Sequence, residues 1–258
     1  MPSRFCLPWS VLILVSGLAL PALQAQTKAG CTPKDMLGDW VSQPLGLFTS
    51  GPAAGPFAAT GTLSFDGVSR FTGVTTSSFS GHIVFPFPAN GSYTLTADCR
   101  LTIFEETLRI TFEGWFANNK NDAILIETDP TSVSVTSVRR RNTPSCDLKT
   151  MQDSWSISAN GDNIVTGTKF AFNYLLAFDG KGGVAGIASK SDNGVITQNG
   201  VYTGTYSVNS GNCSFNLNVT DTAGVAWGYY GTLFDSAKQL ILISNDEGLI
   251  VTGYGKRP

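Results

Sequence analysis

Histidine is almost missing from this chain of 258 residues, which holds only His82, and just 14% of the residues are charged. One histidine rules out histidine-rich metal chemistry within a single chain. It also leaves a Ser-His-Asp triad with one candidate base. His82 lies in Ser80-Gly-His-Ile-Val-Phe85 beside an apolar strand, where a surface or strand-edge place is expected. Seventeen basic residues face nineteen acidic ones, so the basic footprint of a nucleic-acid binder is lacking. There is no nucleophile elbow, phosphate-cradling glycine loop or His-Glu-x-x-His. No Cys-x-x-Cys redox spacing occurs either. No apolar run reaches the ~20 residues of a membrane-spanning helix.

What is present is 42% hydrophobic residues with 11% aromatics, a composition that excludes a disordered chain. Residues 1–25 read as a signal peptide. Arg4 gives the positive start, Val11 to Leu20 the apolar stretch, and Pro21-Ala-Leu-Gln-Ala25 the cut before Gln26. The expected product is soluble and secreted or periplasmic, with no membrane span after cleavage and no cofactor. Cys6 leaves with the signal. Cys31, Cys99, Cys146 and Cys213 remain for an oxidising compartment, and four cysteines allow three pairings.

An internal repeat chooses among them. Cys31-Thr-Pro-Lys-Asp-Met-Leu-Gly-Asp-Trp40 aligns with Cys146-Asp-Leu-Lys-Thr-Met-Gln-Asp-Ser-Trp155. Phe65-Asp-Gly67 aligns with Phe178-Asp-Gly180, and Gly91-Ser-Tyr-Thr-Leu95 with Gly204-Thr-Tyr-Ser-Val208. Cys99 then matches Cys213, and Ile124-Leu-Ile126 matches Ile241-Leu-Ile243. Blocks in one order at nearly one offset are a tandem duplication. Its symmetry assigns Cys31–Cys99 and Cys146–Cys213. Each closure restricts the unfolded chain by about 4 kcal/mol on the loop-entropy account.

Helical patterns are confined to Thr32–Trp40 and Asp147–Trp155, with Pro33 suited to a first helical position. Elsewhere apolar and polar residues alternate, as in Gly91-Ser-Tyr-Thr-Leu-Thr-Ala97 and Leu108-Arg-Ile-Thr-Phe-Glu-Gly114. Asp66-Gly67, Asn90-Gly91, Asp179-Gly180, Asn193-Gly194 and Asn199-Gly200 supply turn signals. Seven or eight strands fit each copy. A closed meander also removes the exposed edges that a sandwich must protect. The fold is therefore read as all-β, two tandem small antiparallel barrels. The first spans 31–141 and the second 146–258, joined by a linker at 142–145. The glycine- and proline-rich stretch from Leu45 to Gly61 is expected to be a long hairpin loop, with a lid as the alternative.

The chemistry is sparse. Glu105, Glu106, Glu113 and Glu127 are the nearest approach to paired glycosidase carboxylates, but solvated strand or turn positions suit them better. Asp246-Glu247 reads as a turn, and Asn118, Asn119, Asn121 and Asp122 as a hairpin tip rather than a calcium loop. Arg139-Arg140-Arg141 reads as a solvated strand end, with contact to a phosphate or a carboxylate as the alternative. Asn90, Asn212 and Asn218 begin glycosylation triplets of the kind that arise by chance in asparagine-rich chains. The aromatics are more suggestive. Trp115 and Trp227 sit in late strands of the two copies, and Tyr93 and Tyr206 share one repeat position. These four are the expected ligand-binding residues, although their spacing is the same for a filled barrel and a hollow one. No catalytic or metal-binding residue is assigned.

The recurring Gly-x-Tyr-x-Leu/Val, cysteine and Phe-Asp-Gly pattern resembles secreted bacterial tandem-repeat proteins of unassigned function. Their barrels are similar to allene oxide cyclase, dirigent proteins and lipocalins. The resemblance implies a calycin-like barrel with an apolar lumen and transfers no catalytic residue. Three functions follow in order of weight. The first is a non-enzymatic exported barrel binding a small apolar ligand. The second is a surface interaction protein with filled barrels, and the third a cofactor-free cyclase or isomerase.

Overall fold

The structure is a computed structural model describing residues 30–51, 54–117, 120–143 and 145–258. The signal peptide expected at 1–25, Asn118 and Asn119 of the hairpin tip, and Pro144 of the linker lie outside the described residues. Two closed antiparallel barrels follow one another, each an eight-stranded meander. The first comprises β1 (Gly38–Phe48), β2 (Gly55–Phe65), β3 (Arg70–Phe79), β4 (His82–Leu95), β5 (Arg100–Glu105), β6 (Ile110–Phe116), β7 (Asp122–Glu127) and β8 (Ser132–Arg140). The second comprises β9 (Asp153–Asn163), β10 (Thr168–Phe178), β11 (Gly183–Asp192), β12 (Val195–Val208), β13 (Ser214–Asp221), β14 (Ala226–Phe234), β15 (Gln239–Ser244) and β16 (Leu249–Lys256).

Each barrel is sealed at one end in the same way. A 3₁₀ turn, Pro33–Met36 or Leu148–Met151, drops a fully buried methionine into the barrel end. Trp40 and Trp155 follow, both fully buried, and their indole Nε1 atoms donate to Met36 O at 2.7 Å and Met151 O at 2.9 Å. Burying an indole of roughly 200 Å² contributes about 5 kcal/mol before entropy is counted. The disulfides tie these ends down as the repeat requires: Cys31 to Cys99 and Cys146 to Cys213.

The arginine run, expected to be a solvated strand end, is half-buried and engaged with rings and a carboxylate. Arg140 lies over the Trp40 ring at 4.5 Å and donates to Leu37 O, and Arg257 lies over Trp155 at 5.1 Å. Arg141 keeps only 9% of its side chain exposed and donates to Asp39 Oδ2 at 2.5 Å. The sequence hides this because a charged triplet at a strand end has no visible partner until the 3₁₀ turn folds beneath it.

Two local expectations change as well. Leu45 to Gly61 is mostly strand, belonging to β1 as far as Phe48 and to β2 from Gly55. Asn90-Gly91 and Asn199-Gly200 lie inside β4 and β12 rather than in turns. Asn199 still takes a positive φ of 56°, in a bulge where the β11–β12 register shifts between Ala188 and Lys190. Only Asn193-Gly194, at φ 46° and 87°, makes the hairpin its sequence suggests at that end.

The barrels pack side by side, β14–β16 of the second against β2 and β3 of the first. Val41, Phe234 and Ile241 form one small core with Tyr254, and Ala58, Ile243 and Ile250 another with Tyr230. Gln43 Nε2 donates to Leu242 O and Gly253 O, and Ser78 Oγ to Leu249 O. Arg139 stacks over Phe234 and Tyr254. Where Gly248 N donates to Gly81 O, a Cβ on Gly81 would fall 2.7 Å from Gly248 Cα. β15 is consequently buried on both faces, which its unbroken Leu-Ile-Leu-Ile run reflects.

Candidate functional site: the lumen of the first barrel

Equivalent positions in the two lumens follow from the strand registers. Phe65 opposes Gly38 as Phe178 opposes Asp153, so Ala59 stands where Phe172 stands and Gly61 where Tyr174 stands. Ala89 opposes Gly73 as Tyr202 opposes Gly186. Ile110 and Phe112 likewise occupy the places of Trp227 and Tyr229.

In the second barrel these side chains fill the lumen. Phe172 stacks on Tyr174 at 5.1 Å and meets Trp227 edge-on at 4.7 Å, and Tyr174 meets Tyr202 at 5.3 Å. The hydroxyls of Tyr174 and Tyr229 bond each other at 2.9 Å, and burial raises both phenol pKa values. Lys190 closes the mouth, its Nζ 5.4 Å from the Phe172 ring and 5.0 Å from Trp227, while it pairs with Asp192 at 2.7 Å.

In the first barrel the same level is empty. The cavity is walled by Phe71, Phe87, Ala89, Ile103 and Phe112, with Leu63, Leu125 and Val138 below and Phe48, Phe57, Phe79 and Leu108 at the mouth. The Phe48 and Phe57 rings meet there at 4.6 Å, tilted by 31°. The space open to the centre of a water molecule is about 80 Å³, enough for roughly half a dozen waters. That is well below the ~300 Å³ at which pockets for drug-sized molecules begin. A volume of this size suits a single alkyl chain or one small ring.

The lumen is apolar but not purely hydrocarbon. Glu105, read from the sequence as solvated, is 8% exposed and lines the cavity. Its carboxylate accepts from Thr107 N at 3.0 Å and Leu108 N at 2.5 Å, and no cation pairs with it among the described residues. Glu127, also expected in solvent, is 7% exposed and accepts from Ser132 Oγ and Ser134 Oγ. The second barrel has Val219 and Ser244 at these positions. Ser42, Thr75, Ser77 and Thr136 add hydroxyls to the wall. Glu106 and Glu113 do face outward, paired with Arg70 and Arg100. His82 is on the surface, 3.3 Å from Glu247.

None of the four aromatics expected to bind ligand lines this cavity. Tyr93 sits at the sealed end, donating to Pro33 O at 3.2 Å, and burial pushes its phenol up to about 12. Tyr206 does the same at Leu148 O, 2.9 Å away. Trp227 is part of the filling of the second barrel. Trp115 is 61% exposed, because inward-facing Gly114 places its neighbour on the outer wall. The residues that matter here are small, and a search for aromatics passes over them. Extending the repeat alignment to Ala59 and Ala89 was the available signal.

No family model and no curated protein matches this chain. Among solved structures it is similar to a DUF3598-family protein of unknown function from Nostoc punctiforme, at 12% identity and TM-score 0.25, covering 88% of this chain and 99% of that one. It is also similar to transferrin binding protein B from Neisseria meningitidis, at 7% identity and TM-score 0.33, covering 85% and 76%. Kievitone hydratase from Nectria haematococca aligns at 10% identity and TM-score 0.30 over 92% of both chains.

Proposed function

We propose that the first barrel carries a slender apolar molecule with a hydrogen-bond-donating or cationic end, while the second barrel is a filled companion. The observation that carries this is the loss of ring volume at one level of two barrels of the same topology, where Ala59, Gly61 and Ala89 stand in place of Phe172, Tyr174 and Tyr202. A barrel able to fill itself has been left open in one copy. Glu105 at the cavity wall favours a donor over an anion, since a buried carboxylate without a cation gains from one. Two disulfides belong to an oxidising compartment and support an extracellular or periplasmic location.

The test is calorimetric titration with octylamine, octanol and octanoate, which share a chain and differ in the end group. Octylamine is expected to bind one per chain and most tightly, and octanoate most weakly. Ala89→Tyr, copying the second barrel, should abolish all binding while the protein stays folded. No heat from any of the three, or binding that Ala89→Tyr leaves intact, refutes the reading.

A further inference from the structure

The outer face of β6, β7 and β8 is apolar and open. Trp115 pairs across to Ile124, and Ile126 to Val135, which opposes Leu45 on β1. All are exposed, as is Val133 beside them, Ile124 at 66% and Val133 at 67%. A contiguous apolar patch of this kind marks a contact surface.

The repeat identifies the occupant. Ile124, Ile126 and Val133 hold the positions of Ile241, Ile243 and Ile250, all buried against the first barrel. The surface that receives them carries Val41, Ala58, Thr60 and Thr76. Its counterpart on β9, β10 and β11 carries Ser156, Ala171, Asn173 and Ser189, with Leu175 and Ile187 exposed alongside. Each chain thus has one matched pair of faces in use, and one inserting face and one receiving face unused. We propose that the unused inserting face of one copy seats on the unused receiving face of a second copy, head to tail, repeating the contact that joins the two barrels.

Two further observations fit. Leu45 also lines the groove between the barrels with Pro56, Ile250 and Thr252, so the open patch runs directly into the established interface. The carboxylates on the inserting face, Glu113 and Asp122, are paired with Arg100 and Arg139, so docking buries no lone charge there. The receiving face holds Lys169 and Asp162 only at its edge, where they pair with each other. It has Ser158 where the first barrel has Gln43, and so lacks the two hydrogen bonds of Gln43. Association is therefore weaker than the tethered contact, on the order of 10 µM. A contact between unlike faces does not close on itself in pairs of identical patches.

Sedimentation velocity over about 1 to 100 µM tests this on the purified chain. The wild type is expected to grow beyond a monomer with concentration. Ile126→Asp spoils the inserting face and Leu175→Asp the receiving face, so each alone should remain monomeric. An equimolar mixture should form a one-to-one pair and nothing larger, because each variant brings one intact face. Both substitutions lie on the surface, and circular dichroism with a disulfide count verifies the fold. A wild type that stays monomeric throughout overturns the proposal. So does self-association of Leu175→Asp, which would mean that inserting faces pair with each other, and so does a mixture that fails to pair.

Discussion

Above Trp40 the first barrel places Ala59, Ala89 and Phe112, while above Trp155 the second places Phe172, Tyr202 and Tyr229. Below that level the two copies are nearly interchangeable: a 3₁₀ turn, a buried methionine, an indole bonded to it, an arginine over the indole and a disulfide. The sealed end is where the barrel is closed and where errors cost most. The mouth is where side-chain volume can change without disturbing the strand ladder. The same contrast appears on the outside, where Ile241 and Ile243 are covered and their equivalents Ile124 and Ile126 are not.

The shared ends give the largest expected effect. The disulfides close loops of 68 and 67 residues, so replacing either pair by serine should cost about 4 kcal/mol, and nearly the same in each barrel. Chemical denaturation measures this, and a markedly unequal loss would show that the two ends are not equivalent after all. Next comes the lumen. Tyr174→Ala removes a ring from the packed column and leaves Tyr229 without its hydroxyl partner, which should cost about 3 kcal/mol. The same variant should give the second barrel an octylamine site, raising the calorimetric stoichiometry to two. Stability loss without a second site would mean that empty volume alone does not make a binder, and that Glu105 is needed too.

Smaller effects sharpen the contrast. Tyr229→Phe keeps the ring but strands the buried Tyr174 hydroxyl, so about 1 kcal/mol is expected by denaturation. Alkaline pH separates the barrels by sign. Burial raises the pKa of Tyr174, Tyr202 and Tyr229 in the second lumen, so the folded state holds these protons more tightly than the unfolded chain. Their contribution is intact below the ordinary phenol pKa of about 10 and is lost as pH rises above it. Tyr93 behaves likewise up to about 12, but it has a counterpart in Tyr206 and cancels in the comparison. Hydrogen exchange should therefore show the second barrel opening first in base.

Much of this architecture was legible in the residues. The repeat announced two units, the alternation announced strands, and the position of each cysteine within its copy fixed the pairing. What escaped was whatever depends on strands being wrapped into a circle. Glu105 follows polar-out logic in a flat sheet, but as the last residue of β5 it continues the inward parity of Leu101 and Ile103. Trp115 looked like a lumen residue because aromatics are usually buried, yet its parity is opposite to that of Phe112 and Phe116. The opening was written as Ala59 and Ala89 among phenylalanines, and an absence of volume has no motif. Gly61 shows why alignment alone is not sufficient: a Cβ there would lie 2.6 Å from Val74 O, so that part of the opening is built into the backbone.

The disulfides also decide how the molecule would behave as a rope. Cys31–Cys99 encloses β1 to β4 and Cys146–Cys213 encloses β9 to β12. Pulled from its two ends, the oxidised chain can lengthen only through β5 to β8 and β13 to β16. The enclosed halves stay as knots of fixed span, and a cut within either loop parts no fragment from the rest. On a cell surface or in a protease-rich fluid, that makes the protein short under tension and slow to fall apart.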